Sequence, residues 1–327
     1  MAEPRRFRFG VQTTTARSAG EWRDLARKVE GLGYSTLFLA DHYLGPGPVS
    51  DETLLRPQHL APIAAMAAAA AWTSTLRVGC RVFCIDYHVP AALAKEAATI
   101  DLLSDGRLEL GLGAGANRGE YGAMGLDFQE APQRVTKLEE VVALVKAHFT
   151  GEPIDLQGQQ VRVSGYAGLP LPVQRPHPPL LIGGSRKRVL TLAAREADIV
   201  SFAHVGWAPM NDAGLTPMQE AARRTGLVRD AAGERFAQLD LESSPYWCSV
   251  TDDADAALEH WAGLLRRAAP DAGPEVLRDH PNVLVGPVDQ IVERLEERRE
   301  ATGVNYVTVP RKQIDDFAPV VAVLAGR

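Results

Sequence analysis

A glycine-rich segment in the first half of the chain has the composition of a ligand-binding loop. It reads RLELGLGAGANRGEY at positions 107–121, where Gly111, Gly113 and Gly115 interrupt and follow a hydrophobic run. Because glycine has no Cβ, a loop of this kind at the end of a strand lets backbone N–H groups approach a phosphate without side-chain obstruction.

A second loop of the same character lies in LLIGGSRKR at 180–188. Gly183 and Gly184 follow a short apolar run there, and Ser185 precedes a strongly helical pattern. A helix that begins at such a position adds a dipole that favours an anion. Two phosphate-compatible loops in one chain suggest a phosphorylated cofactor.

Asp41 and His42 end a third apolar run, TLFLADHY at 36–43. A carboxylate beside an imidazole can orient a substrate, transfer a proton or contact a polar cofactor ring, although a surface turn after a strand carries the same residue types. Adjacent residues on a strand point to opposite faces, so we do not expect the two to pair with each other. A metal site is not expected, since no HxxxH spacing or carboxylate cluster accompanies them.

Other site types fit the sequence less well. A Rossmann fingerprint needs its glycines to open a helix directly, and the pattern after Gly115 shows no helix before Pro132. No GxSxG elbow of a serine hydrolase is present. The cysteines, Cys80, Cys84 and Cys248, form no CxxC pair, so we interpret the first two as buried small hydrophobes and expect a reduced, cytoplasmic setting.

Length and composition limit the class of protein. The chain has 327 residues, of which 46% are hydrophobic and 23% charged, as in an ordinary globular protein. A net charge of -6 with scattered Lys and Arg argues against nucleic-acid binding. The longest apolar run, 63–72, is about half the ~20 residues that span a bilayer, and the N-terminus lacks the apolar core of a signal peptide. We therefore expect a small-molecule substrate and no membrane partner.

The elements that must position these residues alternate along the chain. Strand patterns are predicted at 7–12, 35–40, 76–84, 107–112, 179–182, 198–202, 238–244 and 305–309. Helical patterns are predicted at 21–32, 62–73, 90–103, 132–149, 187–195, 217–229, 253–268, 288–301 and 315–325. Serial βα units form either an open doubly wound sheet or a closed barrel, and about eight units favour the barrel.

One segment interrupts this alternation. Residues 151–179 are rich in Gly, Pro and Gln and contain a possible hairpin at 154–163. We interpret them as an insertion on a single α/β domain that covers 1–327, a (β/α)8 TIM barrel.

Several segments together resemble one family, the bacterial luciferase-like oxidoreductases, over nearly the whole chain. The resemblance is carried by FGVQ at 9–12, TLFLADHY at 36–43, LSDGRLELGLGAG at 103–115, PQRVTKLEEVVALVKAHFTGE at 132–152, PLLIGGS at 179–185 and VGPVDQIVERLEE at 285–297. These motifs occur in the family's order. The most similar branch uses the deazaflavin coenzyme F420, with users of flavin mononucleotide (FMN) close behind.

The resemblance implies a TIM barrel whose mouth receives the cofactor ring, and hydride transfer between ring and substrate. Asp41 is then expected to contact the polar edge of the ring, and His42, as the catalytic residue, to face the ring or the substrate. Members of the F420 branch often carry a bulge with a non-proline cis peptide in the third strand, behind the ring. The matching residues here are Arg81 and Val82.

The resemblance also places the cofactor phosphate between the two glycine loops. The implied N–H donors are Gly113, Ala114 and Gly115 in the first loop and Gly183, Gly184 and Ser185 in the second.

The chain departs from the F420-dependent sugar-phosphate dehydrogenases at two motif positions. Ala116 stands where they carry a glutamate, and Leu44 or a neighbour where they carry a tryptophan. Oxidation of glucose 6-phosphate is therefore not expected. Two alternatives stay open: an FMN-dependent monooxygenase and a cofactor-binding barrel without turnover. The loops at 45–57, 121–131 and 205–216 would set the substrate, and a homodimer is compatible with the family.

Overall fold

A computed structural model describes residues 5–53, 57–245, 247–266 and 269–327 of the chain. Its strands are β1 (Arg8–Gln12), β2 (Thr36–Leu39), β3 (Arg77–Cys84), β4 (Leu108–Gly113), β5 (Ile154–Gln157), β6 (Arg162–Tyr166), β7 (Leu180–Gly184), β8 (Ile199–Phe202), β9 (Asp240–Ser243), β10 (Trp247–Val250), β11 (Val283–Gly286) and β12 (Tyr306–Pro310). Its helices are α1 (Ala19–Gly31), α2 (Pro48–Thr53), α3 (Pro62–Trp72), α4 (Pro90–Leu103), α5 (Arg118–Ala123), α6 (Ala131–Thr150), α7 (Lys187–Glu196), α8 (Pro217–Ala232), α9 (Ala254–Leu265), α10 (Pro274–Arg278), α11 (Val288–Thr302) and α12 (Ile314–Leu324).

Eight of the strands close a barrel in the order β1-β12-β9-β8-β7-β4-β3-β2. These are the eight strands that the sequence predicts, so the prediction of a (β/α)8 barrel is confirmed. Their residues are buried almost throughout, as expected for parallel strands that are covered on both faces. Residues 267 and 268, at the end of the predicted helix 253–268, lie outside the described residues.

The chain divides into two compact units. One unit contains the described residues of 1–11, together with 31–35 and 184–327, and the other contains 12–30 and 36–183. The second of these, which we call the β2–β4 unit, carries Asp41, His42 and the first glycine loop.

Within the β2–β4 unit, β3 contains a bulge. Cys80 pairs with Leu110 and Phe83 with Leu112, so three steps along β3 match two along β4, and one residue of β3 is extra. The peptide bond between Arg81 and Val82, inside this bulge, is cis. The sequence resemblance placed a cis peptide at this position.

The glycines of β4 allow it to lie directly against the bulge. A Cβ on Gly111 would be 2.0 Å from the carbonyl oxygen of Cys80, and one on Gly113 would be 2.5 Å from Cγ2 of Val82. Both distances are too short for any side chain, so two glycines of the first loop are explained by packing inside the protein.

The predicted insertion contains the expected hairpin, in which β5 and β6 pair antiparallel. Glu140 of α6 fixes the turn, because its carboxylate accepts hydrogen bonds from the backbone N–H groups of Gln159, Gln160 and Val161 at 2.7, 2.8 and 2.7 Å. These bonds lower the pKa of Glu140 against the opposing effect of burial.

Two features depart from the sequence analysis. The expectation of no helix before Pro132 was wrong, since α5 follows the first glycine loop; at six residues with two glycines it is too short to show a helical period. In the other unit, β10 and β11 form a separate two-stranded parallel sheet that the sequence did not predict. Each has four residues, and more than thirty residues separate them in the sequence.

That small sheet carries a row of stacked rings. The Trp247 ring stacks on that of Trp207 at 5.0 Å and lies tilted against that of Trp261 at 4.5 Å, and the Trp207 ring lies 4.5 Å from the ring of His280. In the described part of the chain, no helix is both long and apolar enough to cross a membrane.

His280 is buried with both ring nitrogens in use. Nδ1 accepts from the N–H of Asn282 at 3.1 Å, so the proton of the neutral ring lies on Nε2, which donates to the carbonyl oxygen of Gly206 at 3.1 Å. Burial, and to a lesser extent the charge of Arg298, lower the pKa of His280 to about 4 against the opposing bond to Gly206.

We therefore expect stability to fall in mild acid. Below about pH 6.5 the unfolded chain takes up a proton that folded His280 does not accept until about pH 4. Across this window the free energy of unfolding should decrease by up to about 3 kcal/mol from this one group. Urea unfolding between pH 4 and 7 should show a shallower pH dependence in His280→Gln. The same change at exposed His260 should leave the dependence as in the wild type, and equal slopes in all three proteins would contradict the assignment.

Candidate active site

The carboxyl ends of three neighbouring strands in the β2–β4 unit collect polar side chains. Residues 41–43 follow β2, residues 85–88 follow β3, and residues 114–121 follow β4 and continue into α5. In parallel barrels this is the edge at which functional groups lie. Three carboxylates organise the cluster: those of Asp41 and Glu120 are buried, and that of Asp86 is half-buried.

Glu120 holds His42. Its Oε2 lies 2.7 Å from Nδ1 of His42, and its Oε1 accepts from the N–H of Tyr43 at 2.7 Å. The Glu120 side chain has no exposed surface, whereas 34% of the His42 side chain is exposed. Burial acts to raise the pKa of Glu120, but the bonds from His42 and Tyr43 outweigh it and lower the pKa below its ordinary value. The pair is therefore a buried carboxylate that orients a partly exposed imidazole.

Asp41 has a different partner from its neighbour. Its Oδ2 accepts from Nε2 of His88 at 2.8 Å and from the N–H of Cys84 at 2.9 Å. As the strand geometry predicts, Asp41 and His42 do not pair with each other. The Asp41 side chain has no exposed surface. Its contact with a cofactor ring stays a prediction. In this structure the carboxylate accepts a hydrogen bond from the backbone of Cys84, the last residue of β3.

Asp86 joins α5 and α6 to the same edge. It accepts from Nζ of Lys137 at 2.6 Å and from the hydroxyl of Tyr121 at 2.7 Å, and that hydroxyl lies 3.1 Å from Sγ of Cys84. Burial raises the pKa of Cys84 to about 11, so its thiol stays protonated at neutral pH. Cys80 and Cys84 are both buried, as the sequence predicts for small hydrophobes.

The bulge in β3 is more exposed than the strand around it. Arg81 and Val82 are half-buried, whereas the strand residues on either side of them are buried. The Arg81 side chain is fixed by Gln12, which accepts from Arg81 Nη1 at 3.0 Å and donates to the Arg81 carbonyl oxygen at 3.0 Å. A flat ligand could rest against this surface.

The first glycine loop turns sharply at Gly115, whose φ is +71°. A Cβ at this position would lie 1.9 Å from the hydroxyl oxygen of Tyr121 and 2.9 Å from Sγ of Cys84. The backbone N–H groups of Ala114 and Gly115 donate no hydrogen bond to another described residue. These N–H groups are available to an anion.

The second glycine loop lies at the end of β7. Gly184 packs on α7, because a Cβ there would be 2.5 Å from Cγ1 of Val189. Ser185 is half-buried, and Arg186, Lys187 and Arg188 after it are exposed.

The sequence offers Asn117, Glu120 and Tyr121 as residues near the site but assigns none of them a role, and the structure shows that Glu120 contacts His42. Its signal is present in the sequence, since Asn117 followed three residues later by Glu120 is a helix-start pattern. The Asn117 side chain does cap α5, accepting from the N–H of Glu120 at 3.1 Å. The pairing with His42 could not be predicted, because 78 residues separate the two.

Among residues 5–53, 57–245, 247–266 and 269–327, no three His, Cys, Asp or Glu side chains are placed to hold a metal ion together.

Comparison with known proteins gives a consistent result. The sequence profile of the family described as luciferase-like monooxygenase matches residues 6–306. The protein y4vJ of Sinorhizobium fredii is 23% identical over 316 residues, covering 88% of this chain and 83% of its own. The FMNH(2)-dependent dimethylsulfone monooxygenase of Pseudomonas putida is 34% identical over 109 residues, 33% of this chain and 30% of its own length.

The fold has solved counterparts. The coenzyme F420-dependent tetrahydromethanopterin reductase from Methanopyrus kandleri superposes with a TM-score of 0.73 at 18% identity, covering 98% of this chain and 99% of that one. At this identity the likeness concerns the fold alone.

Alanine substitutions at Gly115 and at Gly122 test whether Gly115 is needed for its close approach to Tyr121. Gly115→Ala places a Cβ on a left-handed residue and against the Tyr121 hydroxyl, so we expect it to lower the free energy of unfolding by about 2–5 kcal/mol. Gly122 lies in α5 with no atom within 4 Å of an added Cβ, so Gly122→Ala should be neutral or stabilise by up to about 1 kcal/mol. Denaturant unfolding measures both, and equal effects would disprove the packing account.

Proposed function

The chain belongs to the luciferase-like monooxygenase family, and from that premise we propose that it transfers a hydride between coenzyme F420 and a small organic substrate. The observation that carries this proposal is the pair of His42 and Glu120 at the carboxyl end of β2. Hydride transfer to or from an oxygen-bearing carbon must be matched by a proton, and a partly exposed imidazole held by a buried carboxylate is suited to exchange that proton.

The β2–β4 unit fits a flat ring. The half-buried bulge at Arg81 and Val82 offers it a surface, and His42 lies at the neighbouring strand end. When bound, the deazaflavin would supply the carbon that accepts or releases the hydride. The chain's own residues orient the ring and the substrate and exchange the proton at His42. Asp41 and Asp86 keep the strand ends in place by accepting hydrogen bonds from the Cys84 N–H and from the Tyr121 hydroxyl.

We assign the cofactor phosphate to the glycine loops. In the first loop the candidates are Gly113, Ala114 and Gly115, and the uncommitted N–H groups of the last two support this. In the second loop the candidates are Gly183, Gly184 and Ser185, which precede α7, a helix whose N-terminal dipole favours an anion.

The exposed side chains of Arg186, Lys187 and Arg188 favour F420 over FMN. They form a local basic cluster in a chain of net charge -6. The oligoglutamate tail of F420 would be attracted to such a cluster, and FMN has no such tail.

FMN is the second candidate. The relative from Pseudomonas putida is named for FMNH(2) and is 34% identical over the segment that it shares. An FMN enzyme of this kind would be a monooxygenase and would consume oxygen.

Fluorescence titration with F420 and with FMN tests the proposal. We expect tighter binding of F420, and reduction of bound F420 by the correct substrate without oxygen uptake. A preference for FMN together with oxygen consumption would establish the second candidate instead. Binding of neither would contradict the proposed function.

A charge reversal tests the basic cluster separately. Lys187→Glu at the first turn of α7 suits the helix dipole, and it should weaken F420 binding about tenfold at low salt while leaving FMN binding unchanged. The matched control is Arg195→Glu, the same charge change in the last turn of α7, which should alter neither affinity. Equal losses for both cofactors would remove the assignment of the tail to this cluster.

A further inference from the structure

We propose that Glu120 is a positioning residue that fixes the neutral ring of His42 with its proton on Nδ1, leaving the lone pair of Nε2 as the proton acceptor of the site. This inference rests on the proposed function for its catalytic meaning, but the tautomer itself is a property of the chain alone. It deepens the function by assigning the direction of the hydrogen bond at His42.

Two hydrogen-bond donors besides His42 face the Glu120 carboxylate. The N–H of Tyr43 is a backbone group and can only donate, and it is directed at Oε1 at 2.7 Å. The hydroxyl of Tyr87 also hydrogen-bonds to this carboxylate. An ionised carboxylate accepts hydrogen bonds at both oxygens and donates none.

The charge state of Glu120 follows from the same contacts. Its side chain is fully buried, and burial alone favours the protonated acid, but the backbone N–H of Tyr43 and the hydroxyl of Tyr87 donate to the carboxylate whatever the tautomer of His42, and the pKa of Glu120 is lowered. Glu120 is therefore ionised at neutral pH. Its Oε2, 2.7 Å from Nδ1 of His42, then requires a proton on Nδ1.

The tautomer determines what the exposed part of the ring can do. Nε2 is directed away from Glu120, and about a third of the His42 side chain, 34%, is exposed. With the proton on Nδ1, Nε2 accepts a hydrogen bond from a substrate hydroxyl. If bound, oxidised F420 accepted the C–H hydride of that substrate, the O–H proton would pass to Nε2 and the O–H electron pair would form the carbonyl. The imidazolium produced is paired with the Glu120 carboxylate.

Replacing Glu120 by glutamine should invert the tautomer. An amide has one acceptor oxygen and one donor nitrogen. Because the backbone N–H of Tyr43 can only donate, the amide oxygen must face it. The amide NH2 is then directed at Nδ1 of His42, which must become the acceptor, so the ring proton moves to Nε2. The isosteric change Glu120→Gln thus turns the exposed nitrogen from an acceptor into a donor.

Nuclear magnetic resonance on 15N-histidine-labelled protein without cofactor tests this directly. Long-range 1H–15N spectra distinguish protonated from unprotonated ring nitrogens, His42→Gln identifies the His42 signals, and titration locates the pH at which the ring is neutral. In the wild type we expect a protonated Nδ1 and an unprotonated Nε2, and in Glu120→Gln the reverse.

A matched control makes the same change elsewhere. Glu140→Gln alters a carboxylate that accepts from three backbone N–H groups of the hairpin, and it should leave the His42 signals unchanged. A wild-type ring with its proton on Nε2 would overturn the proposal, and this result needs no variant to fold. A folded Glu120→Gln protein with the wild-type tautomer would overturn it as well.

The proposed function and the tautomer of His42 can be disproved separately. If the tautomer is as expected but neither F420 nor FMN binds, the proposed function fails and Glu120 keeps its effect on His42 alone. If F420 binds and the tautomer is reversed, the function stands and the assignment of Glu120 fails.

Discussion

The close approach of β4 to the bulged β3 is the constraint on which the site depends. Gly111 and Gly113 have no room for a Cβ, and Gly115 leaves space for the Tyr121 hydroxyl and the Cys84 thiol. This contact sets where β3 ends and where the loop into α5 begins. Because α5 carries Glu120, and Glu120 contacts His42, the packing of these glycines helps to set the position of the imidazole.

Three carboxylates at this edge, of which those of Asp41 and Glu120 are buried and that of Asp86 is half-buried, then hold the neighbouring donors in place. Asp41 accepts hydrogen bonds from His88 and from the Cys84 N–H. Asp86 accepts from Lys137 and Tyr121. Glu120 contacts His42 and accepts from the Tyr43 N–H. A buried carboxylate without partners would be costly, and here each is stabilised by at least two hydrogen bonds. The partly exposed His42 ring is therefore held by a rigid support, which suits a group that must exchange a proton at a fixed position.

The sequence predicted the barrel because its eight strands are short apolar or alternating runs that recur between helical periods, and such local patterns survive in the fold. It also predicted that Asp41 and His42 would have separate partners. It could not identify those partners, since His88 lies 47 residues from Asp41 and Glu120 lies 78 from His42, and only the bulge and α5 bring them together. The sequence did not predict the short elements α5, β10 and β11, because six or four residues are too few to show a helical or strand period.

Hydrogen exchange measured by mass spectrometry, with and without added F420, most directly tests the central claim that the strand ends of the β2–β4 unit receive the cofactor ring. We expect slower exchange on binding in the segments 41–44, 81–88 and 113–121, which contain His42, the bulge and the first glycine loop. Protection confined to other parts of the chain, for example the β10–β11 sheet, would contradict it.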